Sequence, residues 1–290
     1  MDKLSVIMPS YRHDPHLIRT IDSVLGASKE DIEIIVYLDE YVEAPLREDD
    51  RVIYLKSKEH IGMRNAINEA VEKSTGKFIM KLDSHSDICN GFDAILKSQT
   101  DENWISVPSR YNLNVNTWEK YNGPIDHLYL KFPNNLKKEI GFRYKLFEKR
   151  AEEKKDEMIT DIIGFQGSCF LMHKDFFKAI GGLDNDTFSP FGSLAHELAM
   201  KVWLTTDGRV VRNRNTWHAH YHPNEKRDKL LRQRMFKSMS ASFRLDMLNR
   251  WPNQKRPFKW VIDKFGPFPG WPKDWHTDEY IGKLQFEGYV

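Results

Sequence analysis

A chain of 290 residues, 40% hydrophobic and 30% charged, can bury a sizeable core as one large domain, or as one domain with an appendage. Its formal net charge of +2 argues neither for nor against a polyanionic partner, and two cysteines, Cys89 and Cys169, are too few for a disulfide framework. No apolar run approaches the ~18–20 residues that span a bilayer, and a strand begins too early to leave room for a signal peptide, so a cytoplasmic chain is expected.

The first half alternates strand and helix signals. Leu4 to Met8 is a short apolar run, expected to stop at Pro9 because proline cannot donate to a ladder. Leu17, Ile18, Ile21, Val24 and Leu25 recur at helical spacing. Glu33 to Leu38 is a β-branched strand ending at Asp39, and Val52 to Leu55 predicts another. Met63, Ala66, Ile67, Ala70 and Val71 form the stripe of a second helix, stopped by Gly76. A strand over Lys77–Leu82 follows, then a short helix with Phe92, Ile95 and Leu96, then a strand over Trp104–Val107. This alternation predicts a largely parallel, doubly wound sheet.

Between Arg110 and Asp161 the periodicity weakens. This stretch predicts a surface insertion, with a solvated helix over Leu146–Met158; long loops at an active edge also serve as lids. Order returns at Gly164–Met172, followed by helices over Lys174–Ile180 and Leu194–Leu204 and a strand over Arg209–Arg212. Glu225 to Arg250 is basic and helical in pattern. From Trp251 onward, Pro and Trp predict an irregular wrap.

The chemistry-bearing stretch is Lys77 to Asp87. An apolar strand ends abruptly in Asp83-Ser84-His85, and residues two apart on an extended chain face one way. Asp83, His85 and also Asp87 are therefore candidates to meet one point beyond the sheet, at the edge where open α/β sheets bind ligands. A carboxylate with imidazole suits a divalent ion such as Mn²⁺, although a polar turn after a core strand would read the same way. Four other segments end at comparable places. Pro9-Ser10-Tyr11-Arg12 makes a turn at the ligand edge. Asp39 offers a carboxylate to a base or ribose, or else caps a turn. Arg64 opens a helix just after Gly62, where a cation and a helix N-terminus could meet phosphate. Trp217 to His222 brings alternating imidazoles after a strand.

Taken in order, Val-Ile-Met-Pro9-Ser-Tyr11, Leu-Asp39-Glu, Gly62-Met-Arg64-Asn and Leu-Asp83-Ser-His85 resemble the nucleotide-binding half of family 2 glycosyltransferases of GT-A fold. The Asp-x-His form is similar to that of polypeptide N-acetylgalactosaminyltransferases, and so are Gly167-Ser-Cys-Phe-Leu-Met, Gly182-Leu-Asp184, Glu197-Leu-Ala-Met-Lys-Val-Trp203 and the histidine after the next strand. The resemblance runs from Leu4 to about His222. It implies a GT-A domain over 1–222, comprising a nucleotide-binding half (1–109), an insertion or lid (110–160) and an acceptor half (161–222), with a basic helix and C-terminal wrap over 223–290. The sheet would be doubly wound and mostly parallel, with helices on both faces. The resemblance also implies that Pro9, Tyr11, Asp39, Arg64, Asp83 and Gly167 bind the nucleotide-sugar. Asp83, His85 and His220 would hold Mn²⁺ or Mg²⁺, with His220 matching the family spacing better than His218.

The activity so implied is metal-dependent transfer from a UDP-sugar to an acceptor hydroxyl. Glu197 is the expected general base, with His196 beside it. Leu194 stands where the family usually carries a first acid, which leaves the base and the stereochemistry open. The acceptor is expected to be a saccharide or glycoconjugate. A hydroxymethylated pyrimidine in DNA is the other possibility, because the region from Lys226 to Arg256 interleaves cations with Phe236, Phe243 and Trp251. The alternatives are a nucleotide-sugar-binding or lectin-like protein without catalysis, and a nucleotidyltransferase. The latter is disfavoured by the lack of a glycine-rich, lysine-containing loop after the first strand.

Overall fold

The computed structural model describes residues 2–12, 14–137, 141–222 and 229–290. Apolar alternation produces the strands of the first half: β1 (Leu4–Tyr11), β2 (Ile32–Asp39), β3 (Val52–Lys56), β4 (Phe78–Leu82), a short β5 (Ser86–Ile88) and β6 (Trp104–Asn114). Between them lie α1 (Leu17–Ala27), α2 (Met63–Lys73) and α3 (Phe92–Ser98). The second half supplies β7 (Glu119–Tyr121), β8 (Leu128–Lys131), β9 (Arg143–Leu146), α4 (Glu148–Glu153), β10 (Ile159–Asp161), β11 (Cys169–His173), α5 (Lys174–Ala179), α6 (Leu194–Thr205) and β12 (Arg209–His220). The chain closes with α7 (Lys229–Met247), α8 (Phe258–Phe265) and α9 (Asp278–Phe286).

The main sheet runs β10-β12-β6-β11-β4-β1-β2-β3. Parallel pairs join β4, β1, β2 and β3, and also β6 and β12; β11 lies antiparallel between β4 and β6, and β10 is antiparallel at the edge. The two faces carry separate cores, because successive strand residues point opposite ways. Leu4, Val6 and Met8 of β1 pack with Leu17, Ile21 and Val24 of α1 and Phe92 and Leu96 of α3. Ile7 and Ile35 face the larger core, which includes α2, α6 and α8. Helices therefore cover both faces of a doubly wound, mostly parallel sheet.

Several elements depart from their predicted bounds. Pro9 does not end β1. Even-numbered residues of β1 direct their backbone groups at β2 and odd-numbered ones at β4, as the Arg12–Asp39 and Phe78–Lys3 bonds show. Pairing with β4 stops at Ile7, so the absent N–H of Pro9 faces a side with no ladder to break. β6 continues through residue 109 to Asn114, held by β12 and β7. Only Glu148–Glu153 of the predicted solvated helix forms, with Leu146 ending β9. The C-terminal wrap is not wholly irregular: Phe258, Val261, Ile262 and Phe265 form the buried face of α8, and Trp251 and Trp275 are buried beside it. Residues 225–228 of the predicted basic helix lie outside the described residues. No described helix is long and apolar enough to cross a membrane.

Candidate metal and nucleotide site

The carboxyl ends of β1, β2, β4 and β12 meet at one edge. Past Leu82 the chain leaves the ladder in a bend, with Asp83 N–H donating to the Ser168 carbonyl at 2.9 Å. β5 then turns back antiparallel against the end of β12, pairing Ser86 with His220. This reversal, rather than a continuing extended strand, brings Asp83, His85 and His220 together, with one ligand atom from each within 4.8 Å of the others. Asp87 pairs with Ala219 and is not in the cluster.

Hydrogen bonds behind the cluster orient both imidazoles. Asp14 Oδ2 lies 2.7 Å from His85 Nδ1 and 2.8 Å from the Ser84 hydroxyl, while Asp14 Oδ1 accepts from the His16 N–H at 2.8 Å. The ring therefore donates from Nδ1 and turns Nε2 inward, the carboxylate–histidine arrangement that sets metal-binding rings. His220 Nδ1 stands 3.3 Å from His222 Nε2, which Arg110 Nη1 approaches at 2.8 Å. His222 Nε2 thus accepts, His220 donates from Nδ1, and His220 Nε2 keeps its lone pair. That buried atom has no hydrogen-bond partner and lies 3.0 Å from Asp83 Oδ2. Two acceptors so close fit a cation between them. A carboxylate oxygen with two imidazole nitrogens suits Mn²⁺ and tolerates Mg²⁺ less readily.

The electrostatics point the same way. Burial works to raise the Asp83 pKa, but the Lys81 ammonium leads the effects that outweigh it and hold the carboxyl well below the usual range. Burial lowers His220 and pushes His222 down to about 4, keeping both rings neutral. For His85 burial acts downward, yet the Asp14 and Asp83 carboxylates outweigh it and leave the pKa raised. His218 lies deeper, with Nε2 2.8 Å from the Ser168 hydroxyl, and burial drives its pKa well down.

Beside the cluster, Asp39 organises a loop. Its oxygens accept from the N–H groups of Ile61 (2.8 Å) and Gly62 (2.9 Å), and His60 Nδ1 is 2.9 Å away. The His60 ring meets Tyr11 edge-on at 4.7 Å. Tyr11 is 50% exposed and flanked by Arg12, which pairs with Glu40 at 3.1 Å. Pro9 lies at the same strand end. Gly167 sits on the opposite side of Asp83, its carbonyl taken by Lys81 Nζ at 2.6 Å, and a Cβ there would come 3.1 Å from Leu194.

Three expected roles are corrected. Arg64 does not face a phosphate: it is 0% exposed, bonded to Glu197, the Asp184 carbonyl (2.8 Å) and the Gly192 carbonyl (3.2 Å), and stacked on Phe188. The start of α2 is closed as well, since Gly62 abuts Pro190. Glu197 is not placed as a base. It is 0% exposed, and its oxygens are shared by Arg64, Lys201 (2.8 Å) and the Asp184 N–H (2.8 Å). His196 is buried with both nitrogens engaged, by the Tyr144 hydroxyl at 3.0 Å and by Asp246 at 2.7 Å. Of the aromatics expected to stack on bases, Phe243 and Trp251 are buried in the core and only Phe236 is exposed. Sequence reasoning missed Asp14, Lys81, Arg110 and His222. The alternation of His218, His220 and His222 was the one local signal for the last of these.

Known proteins share this architecture. The family model for glycosyl transferase family 2 matches residues 5–181. Polypeptide N-acetylgalactosaminyltransferase 3 of Taeniopygia guttata is 23% identical over 201 residues, covering 64% of this chain and 32% of that protein. A GalNAc(5)-diNAcBac-PP-undecaprenol beta-1,3-glucosyltransferase of Campylobacter jejuni is 27% identical over 115 residues, 37% of each chain. The chain thus spans about a third of the length of these curated relatives. In fold it is similar to GalNAc-T7, crystallised with UDP, GalNAc and Mn²⁺, with a TM-score of 0.68 at 16% identity over 91% of this chain and 56% of that one. By the match over more than half its length, this chain belongs to glycosyl transferase family 2.

Proposed function

We propose that the chain transfers a sugar from a UDP-sugar to an acceptor hydroxyl, dependent on Mn²⁺ or Mg²⁺ held by Asp83, His85 and His220. The observation that carries this is the pair of inward-facing imidazole nitrogens converging on Asp83 at the carboxyl edge of the parallel sheet. When bound, a divalent ion supplies Lewis-acid stabilisation of the charge that grows on a departing diphosphate, an effect of several kcal/mol.

The chain's own residues do the rest. Asp14 and His222 hold the two rings so that the ligand nitrogens are preorganised. The Tyr11 ring and the Asp39-organised loop form the nucleoside side, and Pro9 and Gly167 shape the walls. Removing bulk water from this edge strengthens each of these contacts. The acceptor fits a saccharide or glycoconjugate better than DNA, because Phe243 and Trp251 serve the core instead of a base-stacking surface.

The test is a UDP-release screen of UDP-sugars against saccharide, peptide and hydroxymethylated-DNA acceptors, with EDTA and with Mn²⁺ restored. Release is expected only with metal, and Asp83→Asn, which keeps an oxygen for Lys81, is expected to abolish it. Wild-type turnover in Asp83→Asn or in EDTA refutes the assignment.

A further inference from the structure

Lys81 is a cation built into the wall of the proposed metal site. It sits within β4, 2% exposed, with Ile7 and Phe170 as its ladder neighbours. Its Nζ bonds Asp83 Oδ1 and the Gly167 carbonyl at 2.6 Å. Burying an ammonium is costly, and an apolar side chain of the same length would fill this position at no such cost. The ammonium is tolerated because it meets the Asp83 carboxylate and the Gly167 carbonyl, and replacing it alone would leave that buried carboxylate without its cation.

Its effect falls on Asp83, whose oxygens are divided. Oδ1 is held by Lys81, while Oδ2 faces His220 Nε2 at 3.0 Å. On the far side, Arg110 approaches His222 Nε2 at 2.8 Å, one imidazole removed from His220. The two carboxylates of the cluster, Asp14 and Asp83, are thus matched by two cations, Lys81 and Arg110. Affinity for a hard divalent ion follows the charge of the ligand set, and Lys81 repels an ion at Oδ2 across a single carboxyl group. Among these four groups there is no surplus negative charge. A nucleoside diphosphate brings the charge that is missing.

We propose that Lys81 is a positioning residue that makes capture of the divalent ion conditional on a nucleoside diphosphate, so that metal and donor are retained together; this rests on the donor-site assignment above. The test is titration of the full chain with Mn²⁺, with and without UDP, followed by the electron paramagnetic resonance signal of free Mn²⁺ and corrected for Mn²⁺ bound by free UDP. The wild type is expected to bind Mn²⁺ at least about tenfold more tightly with UDP. Lys81→Met and Lys81→Gln are expected to bind Mn²⁺ alone about tenfold more tightly than the wild type, shrinking the effect of UDP.

Equal wild-type affinities with and without UDP overturn the proposal. So does an unchanged UDP effect in variants that melt cooperatively. If Lys81→Met does not fold, Lys81→Gln, whose amide can still donate to the Gly167 carbonyl, carries the comparison. Failure of the donor-site assignment has a separate signature: the wild type binds no UDP in equilibrium dialysis with Mn²⁺ present, which removes this proposal as well.

Discussion

Glu197→Ala takes one carboxylate away from two buried cations. Arg64, fully buried, loses its ion-pair partner, Lys201 keeps only the Gly182 carbonyl at 2.8 Å, and the Asp184 N–H loses its acceptor. Breaking a buried pair from one side costs about 3–5 kcal/mol, because the remaining charge stays out of water. For a chain of this size each kcal/mol lowers the unfolding midpoint by about 2 °C, so a drop of roughly 6–10 °C is expected. Glu197→Gln keeps an oxygen for the Asp184 N–H and is expected to lose less. Calorimetry or urea unfolding of both variants, run beside the UDP-release assay, separates the roles. A midpoint for Glu197→Ala within about 2 °C of the wild type, with turnover down by about 10³-fold, would be the mark of a catalytic base and would refute the structural assignment.

Asp14→Ala frees the His85 ring, so Mn²⁺ affinity in the presence of UDP is expected to fall about 10–100-fold with little change in the melting midpoint; unchanged affinity in the same titration would sink the orienting role. Mn²⁺ binding should also weaken with acid. An ion needs His85 neutral, and although burial acts downward, Asp14 and Asp83 leave its pKa above the usual value. Affinity is therefore full above that raised pKa and falls about tenfold per pH unit below it. The stability that protonated His85 draws from Asp14 runs oppositely: it is present at low pH and lost as pH rises through the raised pKa. Titrations at several pH values check the sign, and a flat profile between mildly acidic and neutral pH would contradict it.

What the sequence legibly carried was local burial. The alternating runs of β1, β2 and β4 and the helical stripes of α1 and α2 predict their elements because a strand or helix writes its period into neighbouring residues. Asp83 and His85 were visible for the same reason, being two residues apart at the end of an apolar run. The helical spacing of Phe258, Val261, Ile262 and Phe265 was equally local, and the Pro and Trp around it obscured it.

Partner choice was not local, and there the tertiary structure decided. Whether Pro9 ends a strand depends on where β4 stops pairing. Whether Glu197 is a base or an anchor depends on Arg64, far away in the chain, reaching it across a closed interior. Asp14, Lys81 and Arg110 carry no motif, since a carboxylate or a cation acquires its role from what stands within about 3 Å of it. Periodicity determined the layered α/β frame, and the polar residues at the strand ends pointed to the edge where a site is proposed. The third dimension determined which charges are free to meet a ligand at that edge and which are consumed in holding it together.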